Sequence, residues 1–326
     1  MGRLLSVSNL TTEFNTERGI VRAVDNISYH LDEGEILGLV GESGCGKSVS
    51  QLSLMQLIPT PPGKITSGKV DFNGVNILTY HRKSAEMSAI RGRDISMVFQ
   101  EPMTSLNPAM TIGKQMIEVL TNHMDITKAE ACNRSIDMLD QVGIPDAAKR
   151  ISDYPHQFSG GMRQRVMVAM AMLCKPKLII ADEATTALDA TIQAQLLELL
   201  YSIVNEYDVA LVMVTHNLGV VARYAQRINV MYAGRIVETG TVKDIWANPM
   251  HPYTQGLISC VPKLGEKLEP ITGMPPSLIN RPKTCAFLAR CKFRQPECFK
   301  DPVRDLTYFE QQHATACNVR LKEVGM

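Results

Sequence analysis

Gly41-Glu42-Ser43-Gly44-Cys45-Gly46-Lys47-Ser48 follows the short apolar run Ile36 to Val40 and opens onto a helical stretch reaching about Leu57. The octapeptide has the form G-x-x-x-x-G-K-[ST], and its place between a strand and a helix is the one that phosphate binding requires. Glycines let backbone N–H groups turn inward around a phosphate chain, and the N-terminus of the following helix adds about half a positive charge. Lys47 is then placed to neutralise β- and γ-phosphates and Ser48 to ligate magnesium, with Val49 continuing the helix. Cys45 lies inside the loop, where its backbone matters and its thiol does not.

Strand, loop and helix set the pattern for what surrounds them. Leu178 to Ala181 and Val209 to Val214 are further apolar runs, each followed by polar residues, as expected of parallel strands covered on both faces. Ahead of the loop, Leu4 to Phe14 and Ala23 to Leu31 alternate and are joined by the polar turn Asn15 to Gly19, which predicts an antiparallel pair. Between Pro102 and Lys175 apolar residues recur three and four apart in Ile112 to His123, Lys128 to Val142 and Met162 to Leu173. The expectation is an α/β fold with a mostly parallel sheet, an antiparallel β subdomain and a helical subdomain inserted at about 101–175. Past Asn248 the chain becomes rich in Pro and Cys, so a boundary is placed there: residues 1–248 and an extension, 249–326.

Composition removes several classes of function. The 326 residues carry 34 Lys and Arg against 33 Asp and Glu, a net charge of +1, so no global basic surface exists to grip nucleic acid. With 45% hydrophobic and 21% charged residues, no apolar run approaches the ~20 residues that span a bilayer. The opening MGRLLSVSNLTTEF turns polar too soon for a signal peptide, so the chain is expected in the cytosol, without structural disulfides.

A second set of residues completes a nucleotide-hydrolysing site. The run Leu178 to Ala181 ends in Asp182-Glu183, with Asp182 suited to magnesium and Glu183 to act as general base toward an attacking water. Adjacent acids at a strand end also fit a solvated turn, and it is the phosphate loop that favours the first reading.

Phe158-Ser159-Gly160-Gly161-Met162-Arg163-Gln164-Arg165, shortly before that strand, resembles the signature sequence of ATP-binding cassette (ABC) ATPases. Further motifs follow the family's order: Gln100 resembles its Q-loop, Ala187-Leu188-Asp189 its D-loop, His216 its switch histidine, and Phe14 the aromatic that stacks on adenine, although Phe14 also suits a strand core. The resemblance covers about residues 4 to 245 and implies an ABC ATPase nucleotide-binding domain. It implies magnesium held by Ser48, Gln100 and Asp182, and Ser159, Gly160, Gly161, Gln164 and Asp189 closing over the ATP of a facing cassette. The chain departs from the family at Ala184 in place of Pro, Asn217 in place of Asp and Phe158 in place of Leu. The second departure puts in doubt any carboxylate holding His216.

Gln100-Glu-Pro-Met-Thr-Ser-Leu-Asn-Pro108 and His251-Pro-Tyr-Thr-Gln255 are similar to the ATPases of dipeptide and oligopeptide importers, a group that also handles nickel. That resemblance implies a subunit at the cytoplasmic face of a bacterial membrane, paired with a sister ATPase and two transmembrane permeases and served indirectly by an extracytoplasmic solute-binding protein. A DNA-repair clamp of the same superfamily needs long insertions or coiled coils, and Pro102 to Tyr154 is too short and lacks heptads. A redox-regulated protein holding ATP only as a structural ligand would have no use for Glu183.

Cys285-x5-Cys291-x6-Cys298-x18-Cys317 crowds the extension. Four thiolates suit zinc, an iron–sulfur cluster or, unligated, a small core, and no pair has the C-x2-C spacing of common zinc sites. The importer resemblance implies a 4Fe-4S cluster, with zinc the alternative.

Overall fold

The structure is a computed structural model and describes residues 2–99, 105–183, 190–262, 270–279, 281 and 283–325. Two compact units emerge, one made of residues 80–212 and the other of 2–79 with 213–326.

The second unit begins with two long strands, β1 (Arg3–Thr16) and β2 (Gly19–Asp32), paired antiparallel with Phe14 opposite Val21 and Thr16 opposite Gly19. β3 (Ile36–Val40) is buried at every residue, as a continuous apolar run dictates. β4 (Gly63–Phe72) lines the other edge of β1, and β5 (Val75–Asn76) completes a four-stranded sheet in the order β2-β1-β4-β5. β4 has no counterpart in the sequence reading. Its middle, Ser67 to Lys69, faces solvent, so it shows no apolar alternation.

In the unit of residues 80–212, β6 (Ile95–Val98) runs parallel to β7 (Leu178–Asp182), with Ile95 opposite Leu178 and Val98 opposite Ala181. β8 (Ala210–Thr215) starts with Ala210 N–H donating to Lys177 C=O at 3.0 Å, and the chain leaves this unit within β8. The helices Ile112–His123, Lys128–Gln141 and Gly160–Met172 match the expected ones within two residues. Each is started by a hydroxyl cap: Thr111, Thr127 and Ser159 accept from the backbone N–H three residues on. Met116, Leu120, Leu139, Val166, Val168 and Met172 are buried on these helices.

In the unit of residues 2–79 and 213–326, β9 (Arg227–Tyr232) is parallel to β3 and antiparallel to β10 (Arg235–Thr241). Ala233 and Gly234 turn that hairpin with positive φ at both positions, matching the right-handed twist of the strands. The extension joins the same sheet through β11 (Thr307–Tyr308) and β12 (Ala314–Thr315), with β12 pairing β10. Among the described residues after 248 no helix exceeds the eight residues of Pro252–Ser259, in keeping with the prolines there. Buried Glu238 of β10 accepts the N–H groups of Met250 and His251 at 2.7 and 2.8 Å and lies 2.8 Å from His313 Nε2, so one carboxylate ties the extension at both ends.

A second buried carboxylate, Asp25, gathers Arg235 at 2.6 Å, Arg22 at 3.3 Å and Arg281. Burial alone would raise its pKa, but the hydrogen bond from Arg235 and the charges of Arg281, Arg235 and Arg22 outweigh that, and the pKa is lowered. The stabilisation is therefore present above the unfolded value near 3.9 and disappears as pH falls through the folded one. Asp25→Asn should lower stability at pH 7 by about 2–3 kcal/mol, less than a fully buried pair because Arg22 and Arg235 are partly exposed. Melting temperatures followed from pH 7 to pH 3 should fall more gently in the variant than in the parent.

Candidate nucleotide site

The phosphate loop has no room for side chains at two of its glycines. A Cβ on Gly41 would lie 2.1 Å from Met231 O, and one on Gly46 would lie 2.1 Å from Ala23 O, where φ is also +103°. Gly44 has a φ of +77°. The loop is thus pressed against the end of β9 and the start of β2, and only glycine allows it. Its backbone is closed by Cys45 N–H donating to Glu42 C=O and Gly234 N–H donating to Cys45 C=O. The Cys45 thiol is buried and its pKa raised by that burial. Lys47, 4% exposed, donates through Nζ to the carbonyls of Gly41 at 2.8 Å and Glu42 at 3.1 Å, and it opens the helix Lys47–Leu54. An ammonium held at the rim of a glycine loop and a helix N-terminus together form a site for a polyphosphate.

Two contacts to this loop were invisible in the sequence. Tyr253, in the first turn of the helix Pro252–Ser259, accepts the Glu42 N–H on its phenol oxygen at 2.8 Å, and Arg290 donates to both Glu42 carboxylate oxygens at 2.7 and 2.9 Å. Burial lowers the His251 pKa to about 4, against the opposing charge of Glu238, so its ring is neutral at pH 7 and Nδ1 accepts the Tyr253 N–H. His251 also caps the helix Pro252–Ser259.

In the same unit Phe14 is half-buried on β1, with Gly63 against its ring: a Cβ on Gly63 would come within 2.8 Å of Cε1. His216 is exposed just past β8. Asn217, next to it, caps the helix Leu218–Tyr224 by accepting from Gly219 and Val220 N–H at 3.0 and 3.3 Å. Asn caps as well as Asp, so the loss of a charge at this position keeps its structural job.

The other unit holds the acids. Asp182 is buried at the end of β7, and Glu183 follows it in the left-handed region at φ 44°. For a residue with a Cβ that conformation costs about 1 kcal/mol or more, a strain concentrated at working sites. Ser159 caps the helix Gly160–Met172 through Met162 N–H, which leaves the Gly160 and Gly161 end of the helix as its positive pole. A Cβ on Gly161 would sit 3.0 Å from Ile192 Cγ2, a tight contact with a side-chain methyl. Gln164 is 2% exposed, and its two amide atoms find no hydrogen-bond partner among the described residues. Gln100 and Asp189, with Ala184 and Ala187, lie outside the described residues.

With these features in place, the comparisons decide the family. The ABC transporter family matches residues 24–186, and the family of the oligopeptide/dipeptide transporter C-terminal region matches residues 237–298. The dipeptide transport ATP-binding protein DppD of Bacillus subtilis (strain 168) is 50% identical over 91% of this chain and 89% of its own length. The chain belongs to the ABC transporter family. The oligopeptide transport ATP-binding protein OppD of Salmonella typhimurium (strain LT2) is 47% identical over 98% of this chain and 95% of its own length. A solved ATP-binding cassette, dimeric after hydrolysis and bound to ADP and Pi, has a TM-score of 0.65 at 27% identity, covering 73% of this chain and 98% of that one. The ABC fold expected from the motifs is the fold observed. Among the described residues, no helix is long and apolar enough to cross a membrane.

In this ABC chain Cys285, Cys291, Cys298 and Cys317 all border one cavity of about 30 Å³, together with His251, Phe287 and Val319. Among the described residues no three His, Cys, Asp or Glu side chains are drawn together as a site for a metal ion. Burial lifts the Cys285 thiol to about 11 and raises those of Cys291 and Cys317, and the neighbouring thiols add to the effect. Closing Cys285, Cys291 and Cys317 round a metal would require them to lose their protons.

The crowding at Gly46 gives a direct test. Gly46→Ala should abolish MgATP binding, with the dissociation constant rising at least ~100-fold as the loop is forced away from Ala23. Equilibrium titration with a fluorescent ATP analogue reads the loss.

Proposed function

We propose that this chain is the ATP-hydrolysing subunit of an importer for dipeptides, oligopeptides or related small solutes. The observation that carries the reading is the glycine-crowded phosphate loop with buried Lys47, in a chain matched over nine-tenths of its length by a dipeptide transport ATP-binding protein. Residues 1–248 form the cassette, with its helical subdomain at about 101–175, and residues 249–326 the extension.

Lys47 and the loop amides hold the phosphates, and Phe14 stacks on adenine. Ser48, Asp182 and Gln100 hold magnesium, which when bound offsets phosphate charge. Glu183 takes the proton of the attacking water, and His216 hydrogen-bonds the γ-phosphate. The positive helix end at Ser159, Gly160 and Gly161, with Gln164 and Asp189, serves the ATP of a facing cassette. Closure of two cassettes then depends on the γ-phosphate, and reopening follows its loss, which is a population shift driven by differential binding. The facing cassette is a sister ATPase. Two transmembrane permeases, reached through the region next to Gln100, turn closure into gating at the cytoplasmic face, and a solute-binding protein on the far side supplies the cargo.

The four extension thiols are proposed ligands of a 4Fe-4S cluster, with zinc the alternative. Support comes from their convergence on one cavity and from the softness of a four-sulfur donor set. When bound, such a group would staple a loop-rich segment.

Purification of the tagged chain from its own cells under low oxygen should bring down two permeases and a second ATPase. Recovery of nucleic acid or soluble partners alone would contradict the transport role. Glu183→Gln should slow ATP turnover by about 100-fold or more while leaving ATP bound, and turnover at the parent rate would remove Glu183 as the base. Cys291→Ser should lower iron content and speed proteolysis of the extension; retention of both would remove the cluster.

A further inference from the structure

Glu42 is an odd neighbour for a polyphosphate. Its carboxylate belongs to the loop itself, and a free negative charge there would repel the ligand that the loop exists to bind. The structure shows how this charge is handled. Arg290 reaches Glu42 from 248 residues further along the chain, Nη1 to Oε2 at 2.7 Å and Nη2 to Oε1 at 2.9 Å, the two-pronged fit of a planar guanidinium to a carboxylate.

The arginine is itself fixed in place. Its side chain is 5% exposed. Nε donates to Thr272 C=O at 3.0 Å, Nη1 to Tyr232 OH at 3.3 Å, and the guanidinium lies 5.8 Å from the centre of the Phe287 ring. Glu42 is held just as firmly through its backbone. Its N–H goes to Tyr253 OH, and its C=O receives Lys47 Nζ and Cys45 N–H. A displaced Glu42 would therefore shift the same peptide group on which the lysine rests.

We infer that Arg290 is a positioning residue for nucleotide binding: it neutralises Glu42 and fixes the first turn of the phosphate loop, so that the extension becomes part of the nucleotide site. The inference rests on the reading of Gly41 to Ser48 as that site. It gives the extension a direct hold on ATP affinity. Arg290 closes the one-turn helix Leu288–Arg290, and Leu288 and Cys291 on either side both border the cysteine-lined cavity. A change that moves this segment moves the partner of Glu42.

The test is a titration of MgATP onto the purified full-length chain, using a fluorescent ATP analogue, with steady-state hydrolysis by the assembled transporter alongside. Arg290→Ala should weaken MgATP binding at least about tenfold and raise KM by a similar factor, with kcat within about twofold of the parent. Arg290→Lys keeps the charge but not the fork, and its affinity should fall between the two. Adding Glu42→Gln to Arg290→Ala removes the unpaired carboxylate and should bring affinity back to within about threefold of the parent. An arginine that held only the fold would instead lower the melting temperature in Arg290→Ala and leave the MgATP dissociation constant and KM of the folded protein as in the parent. Arg290→Ala binding as tightly as the parent, or a double variant no better than Arg290→Ala, would overturn the inference. If the alanine form does not fold, a parent-like affinity in Arg290→Lys does so instead. Failure of the parent itself to bind MgATP would fall on the nucleotide-site reading.

Discussion

Two places where a methyl group does not fit govern this structure. Gly41 is packed against the carbonyl of Met231 and Gly46 against that of Ala23, so the loop that binds phosphates has its backbone pressed directly onto the ends of two strands. Close approach of this kind cannot be relaxed locally. β2 and β9 must be in register with the loop, and β9 is held in place by its parallel pairing with β3, from which the loop emerges. The requirement for inward-facing N–H groups is thus passed from one octapeptide to the surrounding strands.

The extension obeys the same constraint from outside. Glu238 anchors its beginning at Met250 and His251 and its far end at His313, while Tyr253 and Arg290 return to the loop at Glu42. Tyr232, Tyr253 and Phe287 pack ring against ring between these anchors, with centroids 4.5 to 5.5 Å apart. A segment with so many prolines and so little regular structure keeps its shape through buried polar ties and this aromatic cluster.

Where local chemistry sets the structure, the sequence was readable. Ile112 to His123 carries its apolar stripe and its Thr111 cap in one contiguous stretch, and the helix begins and ends where these signals say. The octapeptide declared its own conformation because its glycines are needed for backbone reasons. β4 escaped notice because the half of it that is solvated has no apolar period, and β12 because two residues cannot show one. The tie between Glu42 and Arg290 crosses 248 residues, a distance at which spacing carries no information. The positive φ of Glu183 likewise leaves no mark in composition, since nothing about a glutamate announces it. Asn217, a missing charge by sequence alone, is a helix cap, a role in keeping with the Leu218 to Tyr224 pattern that follows it. The four cysteines were legible as a set, and they do border one cavity, but the donor groups are not closed round a metal among the described residues.

On the proposed function, ATP bound at this loop drives the passage of peptide through a membrane partner. Vesicles containing the whole transporter, with labelled dipeptide and its solute-binding protein on one side and MgATP on the other, test it most directly. Peptide should accumulate only with ATP on the side of this subunit, and accumulation should stop when Lys47 is replaced by Ala. Accumulation that persists in the Lys47→Ala transporter, or steady ATP hydrolysis with no peptide moved, would contradict it.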